Sequence, residues 1–393
     1  KDARCVYLDT MDPEFVHVNR QGIDPRAIRE VFDEFVQIPT ESLLPFLAYY
    51  FPTVRGVARP CSPWDVRRFA ALRSYVARIH RVLEDLSPSV IVMTTDLSYS
   101  MGIVGNWAWL NTVPVAVIQP SFLDMTLRNR MRNPITQLGR IVFRLLCGAP
   151  LCSRQCLYGN ALTHARLLLW GEYLRRFYEG TSVYPRIHTT GNAGLDTLLS
   201  ASPVPLEDLL RRLRIPANVP LAVICTQDID VHRGVDLFRE MVEMYRHLML
   251  TVPGVHYYLK VHPRETEEKY RLLFADIPDD RLTIGRDVPI VDLLRAATLQ
   301  VSAASYTSFL AVALGVPILL VNPRGQLDLC DYFGGEIGET ARDAGQLVRL
   351  LTTILSGDGR ETFQQRRKLF LESRLGSVEM SAAKRTAEVV QSL

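Results

Sequence analysis

The chain has no run of about 18 uncharged apolar residues, so no membrane-spanning helix is expected. Neither sign of charge dominates. Its 393 residues carry 45 basic and 42 acidic side chains, a net charge of +3. A dedicated nucleic-acid binder usually shows its basic face in that total, so no nucleic-acid partner is expected. Cysteine is scarce and odd in number, at seven, which argues against a disulfide framework in so long a chain. Cys147, Cys152 and Cys156 are spaced C-x4-C-x3-C with no second pair elsewhere. They read as buried thiols rather than zinc ligands, and no metal site is expected. Repeats and low-complexity tracts are absent, and Lys1-Asp2-Ala3-Arg4 leads into an apolar run without a signal-peptide core. What remains is an ordinary globular composition, 48% hydrophobic and 22% charged. Single cores stop growing near ~250–300 residues, so the expectation is a soluble, cytoplasmic protein of two domains.

Apolar β-rich runs alternate with helix-period stretches. Strands are expected at Arg4–Leu8, Ser89–Met93, Val113–Ile118, Ile187–Thr190, Leu221–Thr226, His256–Val261, Leu282–Ile284, Leu299–Ser302 and Pro317–Val321. Helices are expected between them, including Pro25–Phe35, Pro63–Leu86, Ala161–Glu179, Arg233–Leu250 and Ser305–Leu314. This rhythm predicts an α/β protein with parallel sheets and crossover helices. It occurs twice. Residues 1–195 form one expected Rossmann-like domain, for an acceptor, and residues 196–379 a second, for a donor. The two would face a cleft. A helix over 380–393 is expected to pack back across the junction. Residues 36–62, with Pro39, Pro45, Pro52, Pro60 and several aromatics, read either as a packed irregular insert or as an acceptor-facing loop.

Several strand ends carry polar residues suited to a ligand. After Leu299–Ser302 come Ser305, Tyr306, Thr307 and Ser308, then an apolar helix stopped at Gly315. Four aliphatic hydroxyls, from Ser302 to Ser308, gather where a strand ends and a helix begins. One would suffice as a cap; the free N–H groups and positive dipole end there favour an anion such as phosphate. The strand before His262-Pro263-Arg264 ends the same way, because Pro263 cannot continue a central strand. His262 reads either as a structural histidine or as a partner for a phosphate or base. The loop after Leu221–Cys225, with Gln227 and Arg233, reads either as a solvated turn or as a cleft-facing loop whose Arg233 meets a diphosphate. In the first half, Asp96 follows Ser89–Met93 and is the preferred general base or else a helix cap; Asp9 and Asp12 are weaker candidates.

These motifs resemble those of GT-B fold enzymes acting on nucleotide sugars, particularly bacterial capsule and surface-glycan transferases. His262-Pro263 is similar to the His-Pro motif of sialyl- and Kdo-transferases. Ser302…Ser305-Tyr306-Thr307-Ser308 is similar to their Ser/Thr-rich motif. Leu169-Trp170-Gly171 with Gly191-Asn192-Ala193-Gly194-Leu195-Asp196 looks like the segment that ends the first domain in such proteins. The resemblance implies that His262, Ser305, Thr307 and Ser308 hold a nucleotide, usually CMP-linked. Two departures stand out. No acidic-acidic-Gly motif occurs, and the usual Gln-His-Gly reads Gln119-Pro120-Ser121. UDP-GlcNAc 2-epimerases share the architecture, and Gly191-Asn192 and Asp96 would fit them. Their Ser-Gly-Gly with a following Glu pair is absent, and Ser305–Ala311 holds no carboxylate.

The resulting expectation is a metal-independent glycosyltransferase with no cofactor beyond its nucleotide-sugar donor. Its acceptor would be a glycan or a lipid-linked sugar, in surface polysaccharide synthesis. Two competing expectations are a nucleotide-sugar epimerase and an inactive nucleotide-binding protein. Arg128, Arg130, Arg132 and Arg140, beside apolar Ile141–Leu146, would suit either peripheral docking on the inner membrane face or an ordinary surface helix.

Overall fold

The computed structural model describes residues 6–9, 32–37, 66–93, 99–119, 164–180, 184–200, 202–303, 305–325, 333, 335–358, 360–375 and 381–393. Asp12, Asp96, Pro120, Ser121, Cys147, Cys152, Cys156, nearly all of the 36–62 segment and the arginine-rich stretch at 128–140 lie outside the described residues. The chain divides into two compact units. One comprises Lys1–Leu168, Tyr178–His188 and Val389–Leu393; the other comprises Leu169–Phe177 and Thr189–Glu388.

The first unit contains a parallel sheet in the order β3-β4-β5-β6, with β3 Ile91–Met93, β4 Val115–Ile118, β5 Arg166–Leu169 and β6 Ile187–Thr189. A separate parallel pair joins β1 Val6–Asp9 to β2 Glu34–Gln37. Helix α1, Val66–Leu86, buries Tyr75, Ile79 and Leu83, one residue per turn along a single stripe. It ends at Ser87, which adopts φ +46° and returns its hydroxyl to the Glu84 carbonyl at 2.9 Å. Helix α2, Tyr99–Leu110, is apolar nearly all round and buries Ile103, Val104, Trp107 and Ala108.

Two expected helices are corrected here. Within Ala161–Glu179, Arg166–Leu169 is a strand: Leu167, Leu168 and Leu169 are all buried, and three consecutive buried residues have the period of neither an amphipathic helix nor a half-exposed strand. The end of Pro25–Phe35 likewise enters β2.

The second unit is built on six parallel strands. They are β7 Leu221–Cys225, β8 His256–Lys260, β9 Leu282–Gly285, β10 Leu299–Ser302, β11 Ile318–Val321 and β12 Glu339–Ala341. Their spatial order is β12-β11-β10-β7-β8-β9. Numbered from β7, that is the doubly wound order 3-2-1-4-5-6, which reverses direction between β7 and β10. All five residues of β7 are buried, as a central strand covered on both faces requires. Leu209 and Leu210 of helix Leu206–Leu213 pack with Val223, Tyr258 and Leu293 on one face.

Helix Arg360–Leu375 is seated by a glycine. A Cβ on Gly171 would stand 2.4 Å from the backbone carbon and oxygen of Arg374. Trp170 beside it packs on Tyr306 and Phe309, each with ring centroids 5.8 Å away. Gly191, at φ +83°, is equally constrained: a Cβ would lie 2.7 Å from the Ala382 Cβ. Asp196 then accepts from the Ser381 hydroxyl at 3.0 Å and the Ala383 N–H at 3.1 Å, capping helix Ala382–Gln391. The Trp-Gly and Gly-Asn…Leu-Asp segments are therefore packing joints for the last two helices of this unit.

Two predictions follow from this packing. Gly171→Ala pushes the Arg374 backbone away and should cost about 1–3 kcal/mol, read as a lower urea midpoint; an unchanged midpoint would unseat the helix contact. The second concerns His256, which donates from Nδ1 to the Asp280 carbonyl at 3.1 Å and accepts at Nε2 from the Thr283 hydroxyl at 2.9 Å. Burial pushes its pKa down. The folded ring stays neutral while the unfolded ring protonates as pH falls through about 6.5, so stability should drop on acidification below that value. His256→Gln should flatten the slope of melting temperature against pH; the same slope in both proteins would move its origin elsewhere.

Candidate functional site

In a doubly wound sheet the crevice outside the carboxyl ends of the strands, where the order reverses, is the place a ligand meets loops rather than packed side chains. Here that place is bounded by the ends of β7 and β10. The register puts Ser302 beside Cys225 and Cys225 beside Lys260, so the ends of β10, β7 and β8 are level. His262 follows β8 and Ser305 follows β10. Both therefore belong to one edge, two strand spacings or about 10 Å apart. Gln227 and Arg233 follow β7 between them.

The turn at His262 is built from below. Thr226, at the end of β7, accepts the His262 N–H at 2.8 Å and donates its hydroxyl to Glu265 at 2.6 Å. Glu265 is buried and accepts also from Lys269 at 2.8 Å and Tyr270 at 2.7 Å. Three donors compensate the desolvation of that carboxylate. Burial, together with the Glu265 charge, pushes the Tyr270 phenol far up, so it remains a donor. The Arg264 N–H points at His262 Nδ1, 3.2 Å away. Nδ1 therefore accepts, and in the neutral ring Nε2 carries the proton.

The cations of this edge are largely engaged. Arg264, exposed, pairs with Asp228 at 3.3 Å. Lys260 donates to the carbonyls of Val288, at 2.6 Å, and Arg286, and burial lowers its pKa. Arg233 is exposed at the end of helix Ile229–His232, and Gln227 is half-buried. Asp228-Ile229-Asp230 is an Asp-x-Asp sequence, a pattern able to supply cation-binding carboxylates. Its two carboxylates pair instead with Arg264 and, at 3.0 Å, with Lys269. Among the described residues no group of three His, Cys, Asp or Glu side chains is placed to hold a metal ion.

The hydroxyls after β10 do different things. Ser305 is the cap of helix Tyr306–Ala313 and accepts the Thr307 N–H at 3.2 Å. Ser302 and Ser308 are fully buried and bond to each other at 2.7 Å. Thr307 accepts from buried Gln300 at 3.3 Å. The Tyr306 hydroxyl accepts from Asn192 at 3.0 Å, and burial raises its pKa. The cluster thus anchors the helix start to the sheet, with Ser305 half-buried at the cap. Pro263 is exposed at the neighbouring turn.

Of the first-half candidates, Asp9 is the last residue of β1, and Asp96 lies outside the described residues. The network of Thr226, Glu265, Lys269 and Tyr270 went unnoticed in the sequence. A glutamate next to a helix start normally reads as a solvated dipole partner, and only the sheet order brings Thr226 above it.

No protein-family model matches the sequence, and no curated protein matches it. Solved structures do. UDP-GlcNAc 2-epimerase from Methanocaldococcus jannaschii aligns with a TM-score of 0.56 and 13% identity, over 99% of this chain and 99% of that one. The Neisseria meningitidis UDP-GlcNAc 2-epimerase bound to UDP-GlcNAc gives 0.55 and 12%, over 99% and 100%. A glycosyltransferase from Rickettsia africae ESF-5 gives 0.53 and 10%, over 100% and 99%. At these identities the likeness is one of fold. The chain is an α/β protein of two Rossmann-like domains, the GT-B architecture that epimerases and glycosyltransferases of nucleotide sugars share.

Proposed function

We propose that the chain is a glycosyltransferase that moves a sugar from a nucleotide-activated donor to a glycan or lipid-linked acceptor. The observation that carries this reading is the level carboxyl edge with the His262 turn on one side of β7 and the Ser305 helix start on the other. A donor phosphate would lie against the Ser305 hydroxyl, where the helix dipole stabilises a departing anion. His262 would offer its Nε2 proton to the phosphate or the base. Ser302, Thr307 and Ser308 would act from behind, by holding the helix start in place. A CMP-linked donor is favoured by the His-Pro and Ser/Thr motifs.

Asp96 is assigned as the base that takes the acceptor proton, with Asp9 in reserve, and residues 1–195 and 196–379 as the acceptor and donor domains. The reaction is proposed to run without a metal ion, on the cytoplasmic side of a membrane. Among the described residues no helix is long and apolar enough to cross one.

The competing reading is an epimerase of the same fold, favoured by the Gly191-Asn192 segment and by the fold relatives. It differs chemically, since an epimerase needs groups that move a proton at the sugar, and Ser305–Ala311 has no carboxylate. Product formed from the nucleotide sugar alone would support it; nucleotide binding without turnover on any acceptor would support a non-catalytic binding protein.

A thermal-shift screen against CMP, CDP, UDP and GDP and their sugars should raise the melting temperature for one nucleotide class. His262→Ala and Ser305→Ala should each weaken that nucleotide about tenfold, the loss of one charge-assisted hydrogen bond. Ser305→Gly, which spares most of the capping stability, should weaken it equally. Unchanged affinity in all three would remove the nucleotide from this edge. Asp96→Asn should lower turnover at least a hundredfold with donor affinity retained; near-normal turnover would move the base to Asp9 or beyond.

A further inference from the structure

One hydroxyl clamps both ends of the turn that carries His262. The turn closes on itself where the Glu265 N–H donates to the His262 carbonyl at 2.9 Å. Its entry is the His262 N–H, which donates to the Thr226 hydroxyl oxygen at 2.8 Å. Its exit is the Glu265 carboxylate, which accepts the proton of that same hydroxyl at 2.6 Å. Thr226 and Glu265 are each 6% exposed, so little water competes for either bond.

The clamp is itself held from both sides. The Thr226 N–H donates to the Lys260 carbonyl at 3.0 Å, which ties it to the neighbouring strand. Lys269 and Tyr270, on helix Glu267–Leu273, hold the Glu265 carboxylate from the far side. Pro263 removes further freedom by presetting its own φ. Satisfying Glu265 uses only the proton of the Thr226 hydroxyl. The oxygen of that hydroxyl accepts the one backbone donor at the entry to the turn.

A turn closed in this way brings the Arg264 N–H to His262 Nδ1, 3.2 Å away. The hydrogen bond at one ring nitrogen sets which nitrogen carries the proton. The Arg264 N–H meets Nδ1 only while the turn keeps its shape, so that shape decides that the neutral ring donates from Nε2. We propose that Thr226 is the positioning residue of His262, acting through the turn to fix the imidazole as an Nε2–H donor toward an acceptor atom of the bound nucleotide. The nucleotide in this statement rests on the proposed function, whereas the state of the ring is readable without a ligand.

The test begins with long-range proton–nitrogen spectra of the histidine rings in the full chain. At about pH 8 an ordinary imidazole is neutral, so the spectra report its tautomer. His262→Ala identifies the His262 signals, which should show the Nε2–H form in the parent. Thr226→Val keeps the outline of the side chain and loses both bonds, and it should give a mixture of tautomers. Thr226→Ser keeps both bonds and should restore the parental spectrum. Gly171→Ala, destabilising at a distance, should leave the His262 signals unchanged. Thr226→Val should also weaken the nucleotide found by thermal shift about tenfold, as His262→Ala does. The double variant should then bind no more weakly than His262→Ala alone.

A parental tautomer in Thr226→Val, the same mixture in Gly171→Ala, or additive losses in the double variant would overturn the proposal. If Thr226→Val does not fold, Thr226→Ala, with room for a water in place of the hydroxyl, carries the same expectations. A chain whose His262 tautomer depends on Thr226 but that binds no nucleotide keeps the positioning role and loses the transferase reading. Nucleotide binding that Thr226→Val leaves unchanged does the reverse.

Discussion

The parallel register of β8, β7 and β10 is the constraint on which the candidate site depends. Lys260, Cys225 and Ser302 stand level because each pair of strands is aligned residue for residue. A shift of one residue in β10 would turn every one of its side chains to the opposite face. It would also carry Ser305 along the sheet relative to His262. The register is held by burial, since β7 is covered along its whole length and Leu299, Val301 and Ser302 of β10 are fully enclosed. The distance between two loops that are 43 positions apart in sequence is thus a consequence of core packing rather than of loop chemistry.

Two polar linkages transmit that register to the loops. Thr226 ties the end of β7 to the turn after β8, and the Ser302–Ser308 hydrogen bond ties the end of β10 to the helix that follows. Each is buried, so each is strengthened by the low local dielectric and each would leave a costly unsatisfied group if half of it were removed. Loops fixed in this way lose little entropy when a ligand arrives, which is the physical content of a preorganised site.

The alternation of strand and helix was legible because parallel strands are continuous apolar runs and their crossover helices are amphipathic. Leu299–Ser302 matches its expected bounds for that reason. Arg166–Leu169 was illegible for the converse reason: a short buried run has no period of its own and merges with the helical residues after it. Glu339–Ala341 is short and polar, and only its neighbour β11 makes it a strand. Within the candidate site, position was legible and role was not. A sequence lists Ser302, Ser305, Thr307 and Ser308 as four equivalent hydroxyls. Folding gives one to a helix cap, two to each other and one to Gln300.

That division changes what the family-like motifs mean. Trp170-Gly171 and Gly191-Asn192 look like signatures of chemistry, yet a close backbone approach accounts for each glycine and aromatic or helix packing for each neighbour. Asn192 caps the helix that follows it and holds the Tyr306 hydroxyl. Tyr306 is the first residue of the helix whose start faces the candidate ligand edge. These residues therefore bear on the site by fixing where that helix begins. Placing one helix terminus is a packing requirement, and it does not choose a reaction. The reaction itself depends on side chains that the placement leaves free to vary, which is why the fold is shared by epimerases and transferases alike.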